Sequence, residues 1–129
     1  MVKKKIKLLI LDDEKDICSL VKLLFRKKNF SVYSALSGKQ ALQVVKKMKP
    51  DIALIDIHLK KGTDGIEVLR QIREFMPDCR CAMVTWDKAQ AKMKEAKALG
   101  AVSYLTKPLT TKQLFKVVER VVKDIRKRG

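Results

Sequence analysis

The segment Ile6-Lys7-Leu8-Leu9-Ile10-Leu11-Asp12-Asp13-Glu14 decides the fold: a nearly unbroken apolar run ends abruptly in three adjacent acids. A strand with one wet face alternates apolar and polar residues, whereas a run apolar at successive positions has both faces buried, as in a parallel strand covered by helices above and below. Ile52 to Ile55 and Cys81 to Val84 repeat the pattern, and each is followed by a turn or cap signal and a longer segment of helical period. These runs are expected at the centre of a sheet. Phe30 to Ala35 is broken by Ser31 and Ser34 and belongs at an edge, and Val102 to Thr106 makes a fifth strand.

Between the strands, Ile17, Leu20, Val21 and Leu24 recur at one-face spacing and predict a first amphipathic helix. Ser37 with Gln40 reads as a capping box ahead of Ala41, Val44, Val45 and Met48, and Asp64-Gly65 introduces Val68, Leu69, Ile72 and Met76. The fourth helix, Lys88 to Leu99, offers only alanines and Met93 to a core before Gly100 stops it, so it is expected to be the most mobile. A fifth begins at Thr110-x-x-Gln113 and carries Leu114, Val117, Val118, Val121 and Ile125. Five βα units result: an α/β fold with a doubly wound five-stranded parallel sheet and helices on both faces.

The 129 residues, 47% of them apolar, suit one domain over 1–129. No apolar run reaches bilayer length, and the strand after Met1-Val2-Lys3-Lys4-Lys5 is too short for a signal-peptide core, so a cytoplasmic protein without membrane insertion is expected. Cys18, Cys79 and Cys81 are odd in number and lack the second pair a zinc site requires, so they read as buried thiols. Thirty Lys plus Arg against 14 Asp plus Glu give +16, a balance compatible with nucleic acid, an anionic membrane or an acidic protein. The basic residues spread over every helix and are dense only at Lys3 to Lys7 and Lys123 to Arg128. No recognition helix stands apart from the five, so sequence-specific nucleic-acid binding is not expected.

In an open parallel sheet, ligands bind beyond the carboxyl ends of the strands, near the point where strand order reverses. The residues found there are Asp12 and Asp13 after the first strand, Asp56 after the third, Thr85 after the fourth and Lys107 after the fifth. Three converging carboxylates repel one another unless a cation joins them, and hard oxygen ligands suit Mg²⁺. A carboxylate in such a cluster can attack phosphorus while a lysine neutralises the phosphoryl oxygens. Singly, each residue has an ordinary reading: the acids cap a helix, Asp56 turns the chain, Lys107-Pro108 leaves a strand. Their coincidence at successive strand ends selects phosphoryl transfer.

Leu11-Asp12-Asp13-Glu14, Asp56 after Leu54-Ile55, Val84-Thr85 and Tyr104-Leu105-Thr106-Lys107-Pro108 together resemble the signature of response-regulator receiver domains, along the whole chain and in order. The resemblance implies a flavodoxin-like strand order 2-1-3-4-5 and assigns roles. Asp56 would be the phosphoacceptor; Asp12, Asp13, Asp56 and the main-chain carbonyl of His58 would hold Mg²⁺. Thr85 and Lys107 would bind the acyl phosphate, and Tyr104 would change rotamer as Thr85 moves. The Lys107-Pro108 bond would be cis. A sensor histidine kinase or phosphotransfer protein would supply the phosphoryl group, and a protein target would read the face formed by the fourth helix, fifth strand and fifth helix. The chain would then be a signalling switch that catalyses its own phosphorylation and dephosphorylation, not an enzyme acting on a separate substrate.

Two departures from the family pattern bear on rates. Leu59-Lys60-Lys61-Gly62-Thr63-Asp64-Gly65 lacks the usual proline and looks one residue longer, and Trp86 stands where a small residue is usual, narrowing access to the phosphoryl group. Asp87 and His58, the sole histidine, are candidates to position the hydrolytic water against that effect. Three other functions compete. A haloacid-dehalogenase-type phosphatase has Asp-x-Asp after its first strand, not Asp12-Asp13. A flavodoxin-like electron carrier needs a phosphate loop where this chain has acids. A pseudo-receiver or basic adaptor, binding protein or nucleic acid without phosphorylation, would not require Asp13, Asp56, Thr85 and Lys107.

Overall fold

The computed structural model describes residues 5–60, 62 and 64–128. The basic stretch Lys3 to Lys7 is therefore described from Lys5 onward; Lys61, Thr63 and Gly129 also lie outside the described residues. The elements are β1 (Lys7–Leu11), α1 (Lys15–Arg26), β2 (Ser31–Ala35), α2 (Gly38–Met48), β3 (Ile52–Ile55), α3 (Gly65–Phe75), β4 (Arg80–Thr85), α4 (Gln90–Ala98), β5 (Ser103–Thr106) and α5 (Thr111–Arg128). All strand pairs are parallel and the order is β2-β1-β3-β4-β5, so the interrupted strand is an edge and the continuous apolar runs are central.

Side chains that alternate along a strand go to opposite faces, and here both faces are core. Leu8, Ile10, Ile52, Leu54, Ala82 and Val84 pack under α1 and α5, against Cys18, Val21, Phe25, Leu114, Val118 and Val121. Leu9, Leu11, Ala53, Ile55, Cys81 and Met83 pack under α2, α3 and α4. Each such Leu or Ile contributes about 1.5–3 kcal/mol by leaving water. Because chain order moves from β1 to β2 in one direction and to β3 in the other, the reversal falls between β1 and β3. It thus sets Asp12 and Asp13 beside Asp56.

Three local expectations need correcting. The buried stripe of α1 is Cys18, Val21 and Phe25, while Leu20 is 45% exposed: the helix is rotated so that the large Phe25 ring, edge-on to Phe30 and Phe115, fills the space over the sheet. At α2, Ser37 Oγ accepts from Gln40 N at 3.2 Å, but Gln40 Oε1 accepts from Leu36 N (2.9 Å) rather than closing the box on Ser37. The Thr110-x-x-Gln113 start of α5 does form a complete capping box: Gln113 N donates to Thr110 Oγ1 (3.1 Å) and Thr110 N to Gln113 Oε1 (2.8 Å). Finally, α4 begins at Gln90, without a side-chain cap at Ala89, and its one buried residue is Ala96. Little apolar area anchors it, as its composition predicts.

Candidate functional site

The sheet's hydrogen-bond ladders run one residue past the strands and so fix the site's rim. Asp12 N donates to Ala35 O (3.1 Å), Asp56 N to Leu11 O (3.0 Å) and Lys107 N to Thr85 O (2.7 Å). Among the described residues, the buried polar or charged side chains are Asp12, Asp56, Thr85 and Lys107, and no others. Burial of such groups is unfavourable without partners, so their confinement to one place marks a site.

Carboxylate oxygens of Asp12, Asp13 and Asp56 lie within 4.8 Å of one another. Lys107 Nζ donates to Asp12 Oδ2 at 2.6 Å and to Asp56 Oδ2 at 3.0 Å, and the Glu14 carboxylate is 3.8 Å away. One ammonium thus faces three carboxylates, with the Asp13 carboxylate beside two of them. The remaining negative charge and an all-oxygen donor set fit a hard divalent cation. Burial pushes the Asp12 carboxyl above the ordinary aspartate range, a shift only partly countered by its hydrogen bonds from Lys107 and from Glu14 N. Burial disfavours the Lys107 ammonium, but its bonds to Asp12 and Asp56 outweigh that penalty and raise its pKa, so it stays charged.

The acids at the start of α1 are not helix caps: Glu14 occupies the cap position without a side-chain bond, while Asp12 Oδ1 accepts from Glu14 N (2.9 Å) and turns the chain out of β1. Asp13 reaches across the site instead, its Oδ2 accepting from Lys60 N (2.8 Å) in the β3–α3 loop. That loop closes at Gly65, where a Cβ would stand 1.9 Å from the Asp56 carbonyl oxygen. Only glycine fits, a requirement the sequence reading did not identify.

The profile of the response regulator receiver domain family matches residues 8–119. The chain belongs to the response regulator receiver family. Sporulation initiation phosphotransferase F of Bacillus subtilis is 32% identical over 114 residues, covering 88% of this chain and 91% of the relative. A receiver domain protein from Methanospirillum hungatei superposes with a TM-score of 0.93 at 23% identity, over 98% of this chain and all of that one. A two-component response regulator from Clostridium difficile gives 0.89 at 26% identity, over 94% and 98%.

In this receiver Thr85 and Tyr104 meet at Asp87. Thr85 Oγ1 accepts from Asp87 N (3.3 Å), and the half-buried Tyr104 hydroxyl donates to Asp87 O (2.7 Å). Burial holds the Tyr104 phenol above its ordinary value, helped by the negative charges of Asp87 and Asp56. His58 Nε2 lies 2.6 Å from Asp87 Oδ2, joining the β3–α3 loop to the β4–α4 loop across the mouth of the site. The Asp87 carboxyl lies below the usual range, held by the Ala89 N–H and then by His58. Sequence reading named His58 and Asp87 but did not pair them. A signal was present: each stands two residues past a site residue, Asp56 or Thr85, at the carboxyl ends of two strands paired in parallel. His58 N also points at Asp56 Oδ1, at 3.4 Å. Trp86 is 57% exposed and lies on the α1 side of the site, lining a groove with Glu14, Leu20, Lys107 and Pro108. The Lys107-Pro108 bond is cis, as the resemblance implied.

Proposed function

We propose that this receiver accepts a phosphoryl group on Asp56 from a phosphohistidine of a sensor kinase or phosphotransfer protein, or from a small phosphodonor. The observation that carries the proposal is the buried Asp56 carboxylate, 3.0 Å from the Lys107 ammonium and inside a cluster of three aspartates. An Asp56 oxygen attacks phosphorus, the bond from phosphorus to the donor breaks, and its electron pair leaves with the donor. Lys107, already charged, pairs with the transferred group. Asp12, Asp13, Asp56 and the His58 main-chain carbonyl are the residues that would hold Mg²⁺, which when bound offsets charge on the phosphoryl oxygens.

Thr85 then exchanges its bond from Asp87 N for the acyl phosphate. Because Tyr104 is tied to the same residue, a change at Asp87 reaches β5 and its neighbours α4 and α5, where a protein target would dock. Phosphorylation need only shift an equilibrium already present. His58 and Asp87 position the water that hydrolyses the acyl phosphate, and Trp86 restricts its approach. The likeness to the Bacillus phosphotransferase favours a relay that also hands the phosphoryl group onward. No helix of the described residues is long and apolar enough to cross a membrane; a cytoplasmic location is part of the two-component reading proposed here.

Acetyl phosphate or phosphoramidate with Mg²⁺, followed by intact mass, tests the proposal. One phosphoryl group is expected on wild type, and none after chelation or in Asp56→Asn. Equal labelling of Asp56→Asn would overturn the assignment, and no labelling of wild type would favour a phosphorylation-independent adaptor.

A further inference from the structure

The acid site leaves most of the +16 charge unexplained, and α5 gives part of that charge a geometry. Lys112, Lys116, Arg120, Lys123 and Lys127 follow one another at intervals of four, four, three and four residues, and all five are exposed. At about 100° per residue they fall within roughly 80° of arc, on the side of α5 opposite the buried Leu114, Val117, Val118 and Val121. The result is a straight row of cations about 22 Å long with a step near 6 Å, pointing away from the sheet. The acids within α5 are Glu119 and Asp124, which flank the row, and Asp124 faces Arg80 at 3.6 Å. Toward its carboxyl end the row runs into a cleft lined by Lys5, Lys28, Lys123 and Arg126, with Glu119 the one acid there.

We propose that this face of α5 binds the phosphate backbone of nucleic acid without regard to sequence. A regular line of positive charge is complementary to a regular polyanion, and the row holds no Asn, Gln or aromatic residue to add adenine readout or base stacking to its phosphate contacts. A lipid surface fits less well. Among the described residues, the exposed large apolar side chains are Leu20, Leu23, Phe75, Trp86 and Val102, none of them on α5, so the row has nothing beside it to insert among acyl chains. An acidic protein would present carboxylates at irregular spacing. The surface lies apart from the acids of the phosphoryl site, so binding does not require phosphorylation.

Two labelled DNA duplexes of unrelated sequence, titrated with the full chain and followed by anisotropy, test this. Equal affinity for both is expected, with a slope of log K on log salt of about −4, as for four to five phosphate contacts. The variant Lys116→Glu/Arg120→Glu/Lys123→Glu should bind at least tenfold more weakly. Lys39→Glu/Lys47→Glu/Lys97→Glu makes the same change of net charge on the opposite helical layer and should lose much less. Circular dichroism and phosphoryl labelling should be unchanged in both variants. Absence of binding at low salt, equal losses in the two variants, clear preference for one sequence, or binding to phosphatidylserine vesicles in place of DNA would each overturn the proposal.

Discussion

Replacing Asp13 with Asn should stabilise the metal-free protein and abolish its response to Mg²⁺. The Asp13 carboxylate lies within 4.8 Å of both Asp12 and Asp56, and a single ammonium, Lys107, serves the whole cluster through its bonds to those two partners. At an effective dielectric near 20, each like-charged pair at this distance repels by about 3.5 kcal/mol. Asp13 is half-exposed, so solvent and Lys107 screen most of that, leaving about 1–2 kcal/mol. Asparagine keeps an oxygen for the Lys60 N–H, so the β3–α3 loop loses no bond. Urea unfolding followed by circular dichroism should therefore give the variant about 1–2 kcal/mol more stability in chelator, or a melting temperature higher by about 4–8 °C. Wild type gains about 2.7 kcal/mol from Mg²⁺ at a hundred times its dissociation constant, and the variant should gain almost nothing, so the order of stability reverses. A variant less stable than wild type in chelator, or one that gains as much from Mg²⁺, would refute the claim that acid repulsion is held in reserve for a cation.

Other substitutions probe the same structure. Lys107→Met leaves Asp12 and Asp56 buried without their ammonium; a loss of about 3–5 kcal/mol in chelator is expected, partly restored by Mg²⁺, and urea melts check both. Gly65→Ala would drive a Cβ into the Asp56 carbonyl, so a loss of about 3 kcal/mol or more should accompany slowed labelling. Burial, with the charge of Asp12, raises the Cys18 thiol, and the bond to Cys79, then burial, raises Cys81. Folded values above the unfolded ones mean that stability from these thiols is intact below about pH 8.5 and is lost as pH rises through the folded values. A disulfide reagent at neutral pH should therefore find all three buried cysteines slow until denaturant is added. Trp86 fluorescence should respond to a Mg²⁺ titration, and Trp86→Ala should shorten the acyl-phosphate lifetime; a flat titration with equal lifetimes would remove Trp86 from the site.

The sheet was legible because its evidence is local: Leu8 to Leu11, Ile52 to Ile55 and Cys81 to Val84 are apolar at successive positions, and only a doubly covered parallel sheet buries both faces of such runs. The acids and the lysine were legible because strand ends are where an open sheet gathers ligands. Contacts that depend on loop path were not. Asp13 to Lys60 N and His58 to Asp87 join segments 47 and 29 residues apart through turns whose dihedral angles no periodicity encodes. The rotation of α1 escaped for a different reason. Its sequence supports two overlapping stripes, and the choice of Cys18 and Phe25 over Leu20 depends on the rings of Phe30 and Phe115, which other elements supply. The sequence pairs Lys107 with the phosphoryl group alone, yet it is bonded to Asp12 more closely than to Asp56, since two buried carboxylates at adjacent strand ends require a shared cation.

The central claim is that Asp56 is the residue phosphorylated, and chemical trapping of the acyl phosphate tests it most directly. After incubation with Mg²⁺ and phosphoramidate, borohydride reduction converts a phosphorylated aspartate to homoserine, which tandem mass spectrometry of the digest locates. Homoserine at position 56 and nowhere else is the predicted result. Homoserine at position 12 or 13, or its absence from a chain whose intact mass shows a phosphoryl group, would contradict the account.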